Sequence, residues 1–513
     1  MSKSYFFNLF FLLLSNLLFA QDSLDSLMYS YGNKFWNTDK IIFVEGRNCE
    51  KFGNELENLY DSWKTNPHYK VKYEDELDSA DLSGHLNFFG AIKSYRYLDR
   101  FLPPAVSLSN DGFKLGTYEF NDSLDAISLI TSDGNRRFEL GNSMTGTESL
   151  WTTFQDISQY MIMQNYAVTH HGFLVNNEFD PSKHFDVDSL RKKYLKEYET
   201  KYYSFYYAPE IMNKNQNIDS LLRSEDEKYL NILKVFNLEA PQRKIKCYAY
   251  KDLKQKYYFS ATPGSGNPFI KAYQNHSIGL GPVEHESIHI LFDNLVGGYS
   301  TFFSEGTVGY YYSTVDSIEW KKNRSIVSSA TDFQIKGYLN NNRFGFSQLD
   351  YSASAYFVKF LIDTYGLEKF KSFFKYNTME EGFKKNYGAT IDQISEEWNK
   401  YFEKTKIMLG PNREIVFKIL TRNVSDTDKI FITGDNVQLG EWNPEKVALT
   451  KQNDNQWLKS FNFPEGTIFY YKITRGSWDK EALDTNGNIP QNSVYEVTGD
   501  STITIKIGTW KDQ

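Results

Sequence analysis

The chain has 513 residues, a formal net charge of −8 at pH 7 and 24% charged residues. That length exceeds what one hydrophobic core serves and points to about three domains. The charge is spread without a basic stripe, which argues against nucleic acid as a partner.

Met1 to Ala20 reads as a signal peptide: Lys3 precedes an apolar run from Phe6 to Phe19, which closes on the small Ala20. The run is shorter than the roughly 20 residues of a membrane-spanning helix, and no later segment is apolar for long enough. The expectation is an exported protein (periplasm, cell surface or secreted) with no stable membrane insertion after signal cleavage.

Residues 21–179 alternate strand and helix signals. IIFVEG (41–46) and LNFFG (86–90) read as strands, and FGNELENLYDSW (52–63) and SYRYLDRFLP (94–103) as helices. AISLITS (126–132) and RRFELGNS (136–143) add two strands, so the segment is expected to be an α/β support domain. No glycine-rich phosphate loop follows any of these strands. The charged run 180–201 reads as a solvated connector helix.

From 202 to 409 the pattern is α+β. YYSFYYA and KIKCYAY are strands flanking the long helix IDSLLRSEDEKYLNILKVF, and SIGLG (277–281) is a further short strand. Cys247 sits inside KIKCYAY, where a buried thiol is the ordinary occupant, so pairing with Cys49 is not expected. Amphipathic helices follow from 351 to about 404, and Gly410-Pro411-Asn412 reads as a short hinge. The remainder is a series of short strands (EIVFKILTR, DKIFITG, WLKSFNF, TIFYYKITR, SVYEV, TITIKIG) separated by turns, the pattern of an antiparallel β-sandwich over 410–513.

VEHESIHIL (283–291) places His285 and His289 four residues apart, so a helix projects both imidazoles from one face to grip one ion. Glu286 adjoins the first ligand, where it reaches a zinc-activated water without entering the coordination shell. A catalytic zinc site usually has three protein ligands. Glu305, in TFFSEGTVGYYY (301–312), is the third candidate, because a carboxylate among apolar neighbours needs a partner.

VEHESIHILF and FFSEGTVGYY together resemble the gluzincin metallopeptidases, the peptidase MA-like group related to the aminopeptidase N family. The resemblance covers about residues 202–405. It implies a zincin-type catalytic domain with one Zn2+ per chain on His285, His289 and Glu305, and Glu286 as general base. YSASAYFVKFLIDTYGLEKF is similar to the family's downstream helix, which begins with a transition-state-stabilising tyrosine. Tyr351 holds that position and Tyr356 competes with it. Fifteen residues separate His289 from Glu305, fewer than in aminopeptidase N relatives. The segment that recognises a free amino terminus there is not found before His285. The resemblance therefore implies an endopeptidase, with SIGLG as the edge strand on which an extended peptide substrate pairs.

Residues 413–511 resemble a starch-binding domain, carbohydrate-binding module family 20, through FITGDNVQLGEWNP (431–444) and FYYKITRGSW (469–478). Trp442 matches a sugar-stacking platform and Lys472 the family's sugar-binding lysine, which implies an α-glucan ligand. The family's second tryptophan is not clearly present, and Trp478 comes too early to stand in for it. The expected whole is multidomain: an α/β support domain, an α+β zincin-type catalytic domain and a C-terminal antiparallel β-sandwich. The alternative is a non-catalytic glycan-binding surface protein that uses the peptidase fold as a scaffold.

Overall fold

The computed structural model describes residues 30–38, 40–48, 66–150, 158–212, 218–262, 266–281, 283–298, 300–330, 333–341, 344–422, 424–425, 428–453, 455–484, 487 and 489–513. The expected signal peptide, the expected helix 52–63 and Cys49 lie outside the described residues. The chain divides into two compact units, Met1–Asn294 and Leu295–Gln513. That division falls inside the segment 202–409 expected as one domain.

The first unit opens on β1 (Ile41–Glu45), β2 (Tyr69–Tyr73) and β3 (His85–Ala91), followed by a three-stranded sheet of β4 (Val106–Leu108), β5 (Phe113–Leu115) and β6 (Tyr118–Phe120). β7 (Ala126–Ile130), β8 (Arg136–Gly141), β9 (Tyr160–Gln164), β10 (Ala167–Val175) and β11 (Glu178–Asp186) complete a large sheet of order β11-β10-β9-β7-β8-β3-β1-β2. The sheet is mixed: β2, β1, β3 and β8 run parallel, and the remaining pairings are antiparallel. Alternation along β1 sends Ile42 and Val44 to one core and Ile41 and Phe43 to another, so both faces are covered.

Two expected helices differ. SYRYLDRFLP holds only single 3-10 turns, Ile92–Ser94 and Leu98–Arg100. The Tyr95 hydroxyl donates to the Val44 and Phe89 carbonyls, at 2.7 Å each, and Pro103 bars its predecessor from the α region. Nor is the run 180–201 a connector helix. It comprises the end of β11, then α1 (Val187–Tyr194), capped by Asp186 accepting from the Ser189 amide at 3.0 Å, then β12 (Lys196–Glu199). Both strands lie at sheet edges, where one open side tolerates the charges that made the run look like a solvated helix.

The second sheet of this unit, order β12-β13-β14-β16-β15, adds β13 (Tyr203–Tyr207), β14 (Ile245–Tyr250), β15 (Gly266–Phe269) and β16 (Gln274–Ile278). α2 (Ile218–Phe236) and α3 (Leu253–Ser260) flank β14 in the chain, and α4 (Val283–Leu295) follows β16. SIGLG is not the edge strand. Its first two residues end β16, which lies between β14 and β15, and β15 forms the edge. Cys247, on β14, is a buried free thiol.

The second unit carries helices α5 (Thr301–Val315), α6 (Ser317–Ser329), α7 (Gln348–Tyr365) and α8 (Ile391–Thr405). Its sandwich comprises β17 (Asn412–Thr421), β18 (Phe431–Gly434), β19 (Val447–Ala448), β20 (Thr450–Asn453), β21 (Gln456–Pro464), β22 (Ile468–Thr474), β23 (Ser493–Glu496) and β24 (Ser501–Ile507). Two four-stranded sheets, β20-β21-β17-β24 and β19-β18-β22-β23, enclose Ile415, Phe417, Ile432, Phe463, Phe469 and Trp510. The sandwich is not wholly antiparallel, since β17 pairs parallel with β24. The expected hinge is tied down: the Gly410 amide donates to the Glu465 carbonyl at 2.9 Å, and the Glu465 amide to that of Pro411 at 3.0 Å. No helix among the described residues is long and apolar enough to cross a membrane.

Candidate functional site

α4 is built to present charge from an apolar body. Ile288, Ile290, Leu291 and Phe292 are buried, and Glu284 and Glu286 sit in the first turn, where acidic groups favour the positive helix end. The Ser287 hydroxyl bonds the Val283 carbonyl at 2.6 Å and the Tyr203 hydroxyl of β13 at 3.0 Å, which fixes the helix on the sheet.

One turn apart, His285 and His289 bring their Nε2 atoms to 3.2 Å, with ring centroids 5.0 Å apart. Donor atoms of His285, Glu286 and His289 all lie within 4.8 Å of one another. Glu286 and His289 are buried, and His285 keeps partial exposure. Burial lowers His285 to about 4, and burial together with the charge of His285 lowers His289 to about 3. Both rings are therefore neutral near pH 7, with lone pairs for a cation. Burial raises Glu286 to about 7, opposed by the positive charge of Lys256. Two neutral imidazoles beside a carboxylate, within 4.8 Å of one another, are a donor set that fits zinc.

The edge strand β15 closes on this group. A Cβ on Gly266 would lie 3.1 Å from Glu286 Oε1, a tight contact that glycine spares the carboxylate. Nothing in the amino-acid pattern marked GNPF as a strand, because Gly and Pro read as loop; an edge position is where a strand accepts proline.

Glu305 stands half-buried on α5 in the second unit, on a helix, as the sequence predicts. Tyr351 lies on α7, half-buried, with its ring edge-on to Phe344 at 5.1 Å. Tyr356 does not compete with it. Its ring is fully buried against Trp320 and Trp398, and its hydroxyl shares a 2.7 Å hydrogen bond with Thr405 Oγ1. Tyr356 is a packing residue.

In the sandwich, Gly440, Glu441 and Trp442 all take positive φ (87°, 53° and 62°), a run that non-glycine residues avoid. The Trp442 amide donates to the Gly434 carbonyl at 2.8 Å, holding the strained turn. Its half-buried ring lies 6.4 Å from that of Trp478, which is 38% exposed, with 42° between the planes. Trp478, set aside on sequence spacing, is thus brought beside Trp442 by the turn after β22. Lys472 is mostly covered and forms an ion pair with the buried Glu481. Thr474, two residues on and on the same strand face, donates to the Pro444 carbonyl at 2.6 Å.

Residues 412–507 match the family model of the starch binding domain. The C-terminal segment is therefore a starch binding domain, a fold of two sheets. Over 87 residues the chain is 31% identical to an alpha-amylase of Niallia circulans, a match covering 16% of this chain and 6% of that protein. Over 103 residues it is 29% identical to an amylopullulanase of Thermoanaerobacter thermohydrosulfuricus, covering 19% of this chain and 7% of that one. The matches thus span a small fraction of either relative. Among solved structures, the family 20 carbohydrate-binding module of a maltotetraose-forming amylase from Pseudomonas saccharophila is similar over 18% of this chain and 99% of that chain, at 18% identity and a TM-score of 0.14. Aminopeptidase A of Legionella pneumophila, solved with aspartic acid, aligns over 54% of this chain and 36% of that chain, at 16% identity and a TM-score of 0.25.

Proposed function

We propose that the chain is an exported zinc-dependent endopeptidase whose C-terminal domain holds it on an α-glucan. The observation that carries the reading is the buried donor group of His285, Glu286 and His289, with both imidazoles held neutral by burial. In this reading His285 and His289 hold one zinc, and the sequence pattern Phe302-Phe303-Ser304-Glu305-Gly306 supplies Glu305 as the third ligand. Zinc there supplies Lewis-acid activation of water and of the scissile carbonyl. Glu286 takes the proton of the attacking water on its carboxylate and returns it to the leaving nitrogen. Tyr351 donates a hydrogen bond from its phenol to the developing oxyanion. The substrate backbone extends along the open side of β15, the edge that replaces SIGLG in this role. In the sandwich, Trp442 and Trp478 form two adjoining aromatic faces for sugar rings, and Lys472, held on Glu481, is the candidate hydrogen-bond donor by its match to the family's sugar-binding lysine.

Metal analysis of the purified chain, paired with cleavage of an unbiased peptide library, tests the reading. One zinc per chain and internal cleavage are expected. A metal-free, inactive chain that binds maltooligosaccharides would leave the non-catalytic glycan-binding alternative. Glu286→Gln should keep the zinc and lose at least about a thousandfold in turnover, because the water loses its proton acceptor. Unchanged turnover in the metal-loaded variant would remove Glu286 from this role.

A further inference from the structure

Lys256, on α3, has none of its surface exposed, and nothing in the proposed chemistry uses it. A buried ammonium persists only where acceptors surround it. Its Nζ donates to Thr262 Oγ1 at 2.9 Å, to the Thr262 carbonyl at 3.3 Å and to Asn267 Oδ1. Thr262 is itself held to the end of α3, sharing a 2.6 Å hydrogen bond with Ser260 Oγ. The ammonium thus links the last turn of α3 to β15 across the intervening loop. β15 has only one neighbouring strand, β16, and contains Pro268, which has no N–H for the ladder. So short an edge strand is weakly held by its own pairing. The residue beside Asn267 is Gly266, whose Cα faces Glu286 Oε1.

Resting on the peptidase reading, we propose that Lys256 is a positioning residue that braces the edge strand Gly266–Phe269 over Glu286, so that an extended peptide meets a fixed backbone. The ammonium touches neither substrate nor metal in this role. Burial lowers Lys256 to about 7, opposed by the negative charge of Glu286, and the amine donates to Thr262 and Asn267 in either protonation state.

The test compares the full chain with Lys256→Met, which keeps the buried stem and removes the charge, and with Asn267→Ala, a milder cut of the same link. Hydrogen exchange of the strand 266–269 should accelerate at least about tenfold in both variants, with segment 283–295 unchanged. Zinc content should stay equal in all three proteins. With fluorescein-labelled casein, KM should rise about five- to tenfold while kcat stays within about twofold, the mark of lost substrate positioning rather than lost chemistry. Wild-type exchange in the strand 266–269 of folded Asn267→Ala and Lys256→Met would overturn the brace. So would faster exchange with an unchanged KM, or a drop confined to kcat. If the wild type cleaves no peptide, the peptidase reading fails by itself, and the exchange rates still decide whether Lys256 holds the strand.

Discussion

Glu286 stands under two opposed demands, because the burial that suits it to proton transfer also makes its charge unfavourable. In the folded chain it titrates near 7 against an ordinary 4.5, so between those values the folded state holds more protons than the unfolded one. Stability of the metal-free protein therefore falls as pH rises from about 4.5 through 7. Glu286→Gln removes this penalty and should stabilise the metal-free protein by about 1–3 kcal/mol at pH 8, and by little at pH 5. Urea midpoints of both proteins at the two pH values check it, and a gap equal at both would contradict it. Added zinc should narrow the gap at pH 8, since a cation offsets the carboxylate in the wild type alone. His285 and His289 act on the acid side in both proteins: their lowered values give stability that is present above 6.5 and lost as pH falls through about 4 and 3. At this scale the sequence spoke clearly for α4, because a four-residue spacing on a helix is a geometric statement. It said less about the sandwich. Trp478 falls beside Trp442 only through the turn after β22 and the left-handed run at Gly440-Glu441-Trp442, neither of which is a periodic signal. Trp442→Ala and Trp478→Ala should each weaken binding of β-cyclodextrin by about tenfold, or 1.4 kcal/mol, in calorimetric titration. An unaffected Trp478→Ala would return that ring to a packing role. Lys472→Met is a poorer probe, since it also leaves Glu481 buried without its cation.

Between elements, α5 and α7 of the second unit pack closely on each other. A Cβ on Gly306 would lie 2.7 Å from the Ser354 carbonyl oxygen and 2.7 Å from Val358 Cγ2, and one on Gly309 would lie 2.4 Å from Ala355 Cβ. Glycine at these two positions lets the helix backbones meet, which explains the Gly following Glu305 by packing alone. Gly306→Ala should destabilise the chain by about 1–3 kcal/mol, because the obstacle is backbone rather than the end of a flexible side chain. Chemical denaturation measures this directly, and a neutral result would mean the helices part without cost. The apolar neighbours of Glu305 marked α5 as a buried helix, and α7 was legible from the amphipathic period. It could not reveal β15, whose Gly-Asn-Pro-Phe is a strand only because β16 lies beside it, nor the edge strands β11 and β12, whose charges imitate a solvated helix.

At the scale of the second unit, the sandwich is bonded to the helices that precede it. Lys322 of α6, 7% exposed, sits 3.3 Å from Asp435 Oδ2, 3.1 Å from Glu319 and 4.5 Å from the centre of the Tyr470 ring. Asp435, 4% exposed, also accepts from the Tyr470 amide at 2.8 Å; burial raises its pKa and the charge of Lys322 lowers it. Arg324 donates to the Thr405 carbonyl at 2.7 Å and the Ile407 amide to Ser328 Oγ at 3.0 Å, so the chain leaving α8 is fastened to α6 before β17 begins. A module on such a footing is a fixed extension of the helices, and the Trp442–Trp478 pair keeps a set place on them. Because one buried charge faces another, removing a single partner is worse than removing both. Lys322→Met should destabilise the unit by about 3–5 kcal/mol, and Lys322→Met with Asp435→Asn should recover most of that loss. The same single variant should open the segment 406–411 to limited proteolysis, at a rate the double variant does not share. Equal unfolding midpoints and equal cleavage rates in the two variants would show that the ion pair does not hold the sandwich.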